Sequence, residues 1–347
     1  MLRREGSEDR EDPEDPRRYI VNQARDAQVK PVLLAILLGT MTRNALAADR
    51  PVPVILDTDI GDDIDDALNL ALILQSPELD LKAVITVLNA GDVRAALAYR
   101  ILELHGRTDI PVGIGAEQTL LGKPSRAIPI QAAALPPGYT APGPSRNGVR
   151  LMIDTILLAP EKITLVAVGP LTNVALALRS EPRLQERIER IVLMSGVFFR
   201  AGLEYNVHRD AEAAAIVYAS GLPISTVGLD VTLQCRLGTD EMQRLAKSNF
   251  ENVTFLYRLI VAWQNGDAAK HPILHDPLAS LAMLKPSLVN WQRGRVEIET
   301  RGIDGRSQGL SVFRKDAEGT VEVAETVRAD EAVSLFIDRV AARPPSR

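Results

Sequence analysis

Asp57-Thr58-Asp59-Ile60-Gly61-Asp62-Asp63-Ile64-Asp65-Asp66-Ala67 decides how this chain is read. Residues 52–56 before it form an apolar run of the length of a buried strand, and residues 68–74 after it are apolar over the length of a short helix. Six carboxylates therefore crowd one strand-to-helix turn. Like charges at that density repel unless water solvates them or a cation neutralises them. A turn at the carboxyl end of a strand in an open α/β sheet is also where ligands bind. The stretch thus predicts a divalent-cation site, and its oxygen-only donors favour Ca²⁺ or Mg²⁺ over zinc. The bland alternative is helix capping, since Asp is a good N-cap and acids suit a helix start, although one first turn has little use for six. An EF-hand loop is excluded, because Gly61 falls at the fifth position and Leu68 at the twelfth, where Gly at six and Glu at twelve are required.

The rest of the chain has the composition of an α/β protein. It has 347 residues, of which 46% are hydrophobic, enough for a large core in one domain. A net charge of -5 argues against a nucleic-acid binder with a basic face. Cys235 stands alone, so an intrachain disulfide and a thiolate metal site are both excluded. Strand-like and helix-like runs alternate from residue 52 onward: a second strand at 81–87, a helix at 93–105, a third strand at 110–114. Such βαβ alternation predicts a single-domain open, mainly parallel sheet with helices on both faces, a Rossmann-like arrangement, over residues 52–343. Residues 295–327 read as β-hairpins with turns at Asp304-Gly305 and Glu318-Gly319, and 329–342 as a closing amphipathic helix. The long loop 120–147, rich in Pro and Gly, reads as a rim of the substrate pocket.

The N-terminus reads differently. Residues 1–30 form a charged extension expected to be disordered. Residues 31–47 have the apolar core and small-x-small ending of a signal peptide, with cleavage after Ala47, and are too short to span a bilayer. That predicts a periplasmic or secreted protein without a stable membrane span, or a cytoplasmic one if 31–47 is an N-terminal helix packed on the domain.

Three further segments recur downstream: Gly169-Pro170-Leu171-Thr172-Asn173; Met194-Ser195-Gly196 followed by Glu204-Tyr205-Asn206 and Asp210-Ala211-Glu212-Ala213; and His275-Asp276-Pro277. Together with the acidic turn, in this order, they resemble the inosine-uridine-preferring nucleoside hydrolase family of calcium-dependent nucleoside N-ribohydrolases. The acidic turn is the longer version of that family's Asp-x-Asp-x-Gly…Asp-Asp-Ala pattern, anchored here at Ala67. The resemblance implies a nucleoside hydrolase fold and cleavage of the N-glycosidic bond of a small-molecule nucleoside. It implies Ca²⁺ held by Asp59, Asp66, the carbonyl of Thr172 and Asp276, with Asp59 also the general base and His275 the proton donor to the leaving base. Asp65, Asn89, Met194, Glu204 and Asn206 would bind the substrate. Asp57 would brace the turn from behind, and Asp210 would cap the helix after it. A homodimer or homotetramer is implied too.

This chain departs from the pattern in one place. Residues 197–203 contain no Asn, where the family carries a Gly-Asn step that contacts ribose. Tyr257 and Trp263 could stack on a base, but their helical spacing fits core packing equally. The competing reading from another class is a calcium-dependent nucleoside or sugar binding protein without turnover. A haloacid-dehalogenase-like phosphatase, suggested by Asp57-Thr58-Asp59 alone, gains nothing from the other segments.

Overall fold

Continuous apolar runs suit strands that are covered on both faces, because alternate side chains point opposite ways. The computed structural model describes residues 50–122, 127–302 and 307–343. In it β1 (Val52–Thr58), β2 (Leu79–Thr86), β3 (Val112–Ile114), β4 (Ile163–Ala167), β5 (Ile188–Met194) and β6 (Ile224–Val227) lie parallel in the order β3-β2-β1-β4-β5-β6. Val54 and Leu56 of β1 join the core on one face, with Val166, Val192 and Met194. Ile55 joins the core on the other, with Leu165, Ile191 and Leu193. β4 alternates in the same way, with Leu165 and Ala167 in the second core and Val166 in the first, while β2 switches face between Leu81 and Ala83 where its pairing with β1 shifts register.

Twelve helices cover the sheet among the described residues. In chain order they are α1 (Asp65–Leu74), α2 (Gly91–Leu104), α3 (Gly148–Leu158), α4 (Thr172–Ser180), α5 (Leu184–Arg187), α6 (Tyr205–Arg209), α7 (Ala211–Tyr218), α8 (Leu229–Thr232), α9 (Thr239–Ala246), α10 (Glu251–Gln264), α11 (His275–Leu284) and α12 (Ala329–Val340). Helices α1, α2, α10, α11 and α12 bury their apolar residues in the first core, and α3, α4 and α7 in the second. The described residues from Pro51 onward form one compact unit. The expected α/β fold, an open and mainly parallel sheet with helices on both faces, is the one observed.

Three strands complete the sheet: β7 (Val289–Ile298), β8 (Ser311–Lys315) and β9 (Val321–Val327). β7 and β8 pair antiparallel, as a hairpin should. The second expected hairpin does not form. The turn at Glu318-Gly319 leads β9 away from β8 to a place between β6, parallel, and β7, antiparallel. Val321, Val323 and Ala324 of β9 thereby reach the two buried cores, which an edge position beside β8 would deny them.

Strand order reverses between β1 and β4: the chain leaves β1 toward β2 and β3, and leaves β4 toward β5 and β6. Connections that diverge this way open a crevice at the carboxyl ends of the two strands, which is where ligands sit in such sheets. The acidic turn follows β1 and Gly169-Pro170 follows β4, so both border it. The expected extension 1–30, signal segment 31–47 and Asp304-Gly305 turn lie outside the described residues. No helix among the described residues is long and apolar enough to cross a membrane.

Candidate active site

The acidic turn is held from behind by a buried arginine. Arg94, on α2 and 0% exposed, donates from Nη1 to the carbonyls of Asp59 and Ile60, from Nη2 to the Asp62 carboxylate at 2.7 Å, and from Nε to the Asn89 carbonyl at 2.8 Å. Loop 120–147 braces the other side. The Gln131 amide N–H donates to the Gly61 carbonyl at 3.1 Å, and its side chain donates to the Asp63 carbonyl. Gly61 has φ +129, and a Cβ there would lie 2.6 Å from Pro129, so neither conformation nor space admits a side chain.

Capping does not account for the acids. α1 begins at Asp65 after Ile64 and has no side-chain cap. Of the six carboxylates, Asp63 accepts from the Ile64 amide at 2.7 Å, Asp62 pairs with Arg94, and Asp66 accepts from the Thr58 hydroxyl. Asp57 takes a hydrogen bond from Asn173 Nδ2 at 2.7 Å, while its other oxygen is buried without a partner.

The chain brings three carboxylates together. Asp65 and Asp66 in the first turn of α1 and Asp276 in the first turn of α11 each present an oxygen within 4.8 Å of the others, and all three are buried. The Asp276 amide donates to the Asp65 carboxylate at 3.3 Å. Asp59 lies on the wall of the same cavity, of about 510 Å³, outside that group of three. Gly169 lets it fit, since a Cβ there would stand 2.8 Å from Asp59 Oδ1. Burial, then repulsion from neighbouring aspartates, holds Asp65, Asp66 and Asp276 well above the usual carboxylate range. Burial pushes Asp59 up to about 7 against the pull of Arg94.

Glu204, Asn206, Met194 and His275 line the same cavity. Glu204 is fixed by the N–H groups of Asn206 (2.6 Å), Val207 and Gly196 (3.0 Å each). Asn206 Nδ2 donates to the carbonyls of Val168 at 2.6 Å and Met194 at 3.1 Å. His275 Nδ1 is 2.7 Å from Thr232 Oγ1, and burial lowers its pKa. Asp210 caps α7 through the Ala213 amide.

Two expected residues stand elsewhere. Thr172 is not among the cavity-lining residues: it opens α4, where its hydroxyl donates to Asp210 at 2.6 Å. From that connection it is Val168 that lines the cavity. Asn89 is absent from the lining as well, with its side-chain amide donating to the Ala127 carbonyl at 2.7 Å. Tyr257 and Trp263 pack with the first core, and the Lys270 ammonium sits 3.6 Å from the Trp263 ring. Sequence reasoning missed Arg94, Gln131 and Thr232, because a lone Arg, Gln or Thr carries no local signal of burial. It missed Val168 because a valine ending an apolar run reads as core. Tyr205, inside a recognised motif, lines the cavity between Glu204 and Asn206 and was legible there.

The sequence pattern of inosine-uridine preferring nucleoside hydrolases matches residues 54–334. The chain belongs to this family. As a nucleoside hydrolase it is an enzyme acting on N-glycosyl bonds. It is 33% identical over 319 residues to the probable uridine nucleosidase 2 of Arabidopsis thaliana, covering 83% of this chain and 97% of that one. It is 35% identical over 314 residues to the pyrimidine-specific ribonucleoside hydrolase of Citrobacter koseri, covering 84% and 97%. Among solved structures, a plant nucleoside hydrolase superposes with a TM-score of 0.75 at 29% identity, covering 84% of this chain and 100% of that one. A purine-preferring ribonucleoside hydrolase from Gardnerella vaginalis gives 0.73 at 26%, covering 83% and 98%. With relatives of this kind, the binding protein without turnover loses its footing against the hydrolase.

Burial of Asp57 sets the folded form of this hydrolase against rising pH. Burial raises Asp57 from 3.8 to about 7, against the Asn173 hydrogen bond, so between those values the folded form holds a proton that the unfolded form releases. Its contribution to stability is therefore complete below the unfolded value and lost as pH rises through about 7. Metal-free protein is expected to melt at a lower temperature at pH 8 than at pH 6 in a chelator. A divalent cation at saturating concentration should cancel or reverse the difference, because at the aspartate cluster it would replace the protons. Thermal melts at the two pH values check this, and a melting temperature indifferent to both variables would contradict it.

Proposed function

We propose that this hydrolase cleaves the N-glycosidic bond of ribonucleosides with a calcium ion held by Asp65, Asp66 and Asp276, with Asp59 alongside. The observation that carries the reading is the convergence of three buried carboxylates within 4.8 Å, drawn from two helices far apart in the chain. The donor set is all oxygen, without thiolate or imidazole in the group of three, and so suits a hard cation. So many buried carboxylates also need a positive charge that Arg94, spent on the back of the turn, does not supply at the cavity. For a main-chain oxygen from the connection after β4, Val168 lies at the cavity wall and Thr172 does not.

A bound dication would supply Lewis-acid chemistry, lowering the pKa of a water at the site. The chain's own groups do the rest. The Asp59 carboxylate accepts the proton of the attacking water, for which it must be ionised, a state favoured by a neighbouring cation. Asp65, Glu204 and Asn206 orient the ribose hydroxyls. Because Asn206 Nδ2 is committed to two carbonyls, its Oδ1 is the atom that accepts from the sugar. Positive charge that develops on the ribose ring as the bond breaks is stabilised by the surrounding carboxylates. Met194 supplies an apolar floor.

His275 donates a proton or hydrogen bond to the departing base. A Thr232 hydroxyl that donates to Nδ1, 2.7 Å away, would place the ring proton on Nε2, from which a neutral imidazole can donate a hydrogen bond to the base. His275→Ala is expected to lower kcat on uridine by about a hundredfold, the low end for general acid catalysis. It should barely change the rate on p-nitrophenyl riboside, whose leaving group needs no proton. Equal losses on both substrates would remove His275 from this role.

Uridine is the first substrate to assay, since two relatives are named for uridine or pyrimidine nucleosides. Ribose release from uridine and inosine, with Ca²⁺ or with chelator, tests the proposal. Turnover unaffected by exhaustive chelation would overturn the calcium assignment. Export is a reading of the N-terminal sequence alone, and the mass of the native protein tests whether it begins at Ala48.

A further inference from the structure

One turn below the carboxylates, α1 and α11 are joined by a buried polar contact that the chemistry above does not use. Asn69 follows Asp65 by four residues on α1, and Ser280 follows Asp276 by four on α11, so each lies beneath a carboxylate on the same face of its helix. The Ser280 hydroxyl donates to Asn69 Oδ1 at 2.7 Å, and both residues are 0% exposed. Every other residue from Ala67 to Leu74, and from Pro277 to Leu284, is apolar. Asn69 Nδ2 is buried with no partner. An apolar pair would pack here without leaving a donor orphaned, so stability alone does not explain the contact.

We propose that Asn69 and Ser280 are positioning residues that fix the register of α1 against α11, so that the carboxylates of Asp65, Asp66 and Asp276 meet at a distance one cation can bridge. The three carboxylates crowd the abutting first turns of the two helices, where those that ionise repel one another. Apolar contacts along the helices resist separation but are tolerant of sliding and rotation, whereas a hydrogen bond is directional. Placed one turn from the carboxylates, it converts loose helix packing into a defined ligand geometry, and groups that orient metal ligands in this way set metal affinity. The inference rests on the cation reading above.

The test is a double-mutant cycle on Asn69→Leu and Ser280→Ala. Ca²⁺ dissociation constants are read by calorimetry, and melting temperatures are read in chelator. Each single variant is expected to weaken Ca²⁺ binding by about ten- to a hundredfold. The double variant should be no weaker than the worse single one, because the two residues act through one bond. Its metal-free melting temperature should not fall, since an apolar pair replaces a half-satisfied polar one. Affinity lost without metal-free stability is a split that a merely structural bond would not produce. The double variant also keeps the test open if a single variant fails to fold. A double variant that binds Ca²⁺ as tightly as the parent overturns the inference, as do affinity and metal-free stability falling together throughout. Parent protein that binds no Ca²⁺ overturns the cation reading itself, and this inference with it.

Discussion

Asp276→Asn is expected to abolish measurable Ca²⁺ binding and to lower kcat/KM by about a thousandfold or more, the scale at which removing a preorganised electrostatic group costs an enzyme. The same variant should melt at a higher temperature than the parent in chelator. Asp276 is buried against Asp65 and Asp66, and the first cause of its raised pKa is burial, followed by those two neighbours. Replacing it with a neutral side chain of the same shape relieves that repulsion in the metal-free state. Activity and metal-free stability therefore move in opposite directions. Calorimetry, steady-state kinetics and melting in chelator check the three limbs. A variant that loses activity and metal-free stability together would indicate a structural residue, and one that keeps its Ca²⁺ affinity would remove Asp276 from the site.

Asp59→Asn should separate proton transfer from cation binding. Asp59 shares the cavity with the three grouped carboxylates but lies outside their cluster. Its removal is expected to lower kcat by about a hundred- to ten-thousandfold, the range for loss of a general base, with KM changed far less. The rise in melting temperature on adding Ca²⁺ should survive, reduced in size. If that rise disappears altogether, Asp59 is an indispensable ligand, as the family resemblance implies, and the two roles cannot be divided between residues. If kcat is unchanged, another group takes the proton.

The site was legible to the extent that its chemistry is local. Asp59, Asp65 and Asp66 stand in one turn, and Glu204 with Asn206 in one short motif, so spacing and residue type were enough to single them out. Thr172 shows the limit of motif reading. It belongs to a recognisable Gly-Pro-Leu-Thr-Asn run, yet the cavity wall is reached four residues earlier, at Val168, because the chain has already turned into α4 by Thr172. Arg94 was harder still. In the sequence it is one charged residue on a helix and reads as solvated, whereas the fold buries it completely because the carbonyls of the acidic turn need a donor from behind.

From residue order alone came the alternating strands and helices, the parallel sheet implied by them, and the strand-end turn overloaded with negative charge. These follow from hydrophobic periodicity and from electrostatics within a few residues, interactions that neighbours along the chain impose on one another. The family resemblance had already pointed Asp276 at the ion of the acidic turn, but only tertiary packing brings it, some two hundred residues further on, against Asp65 and Asp66, and slips β9 between β6 and β7 instead of folding it back on β8. Both outcomes depend on which apolar faces cover each other across the sheet, and no local pattern of side chains specifies that choice.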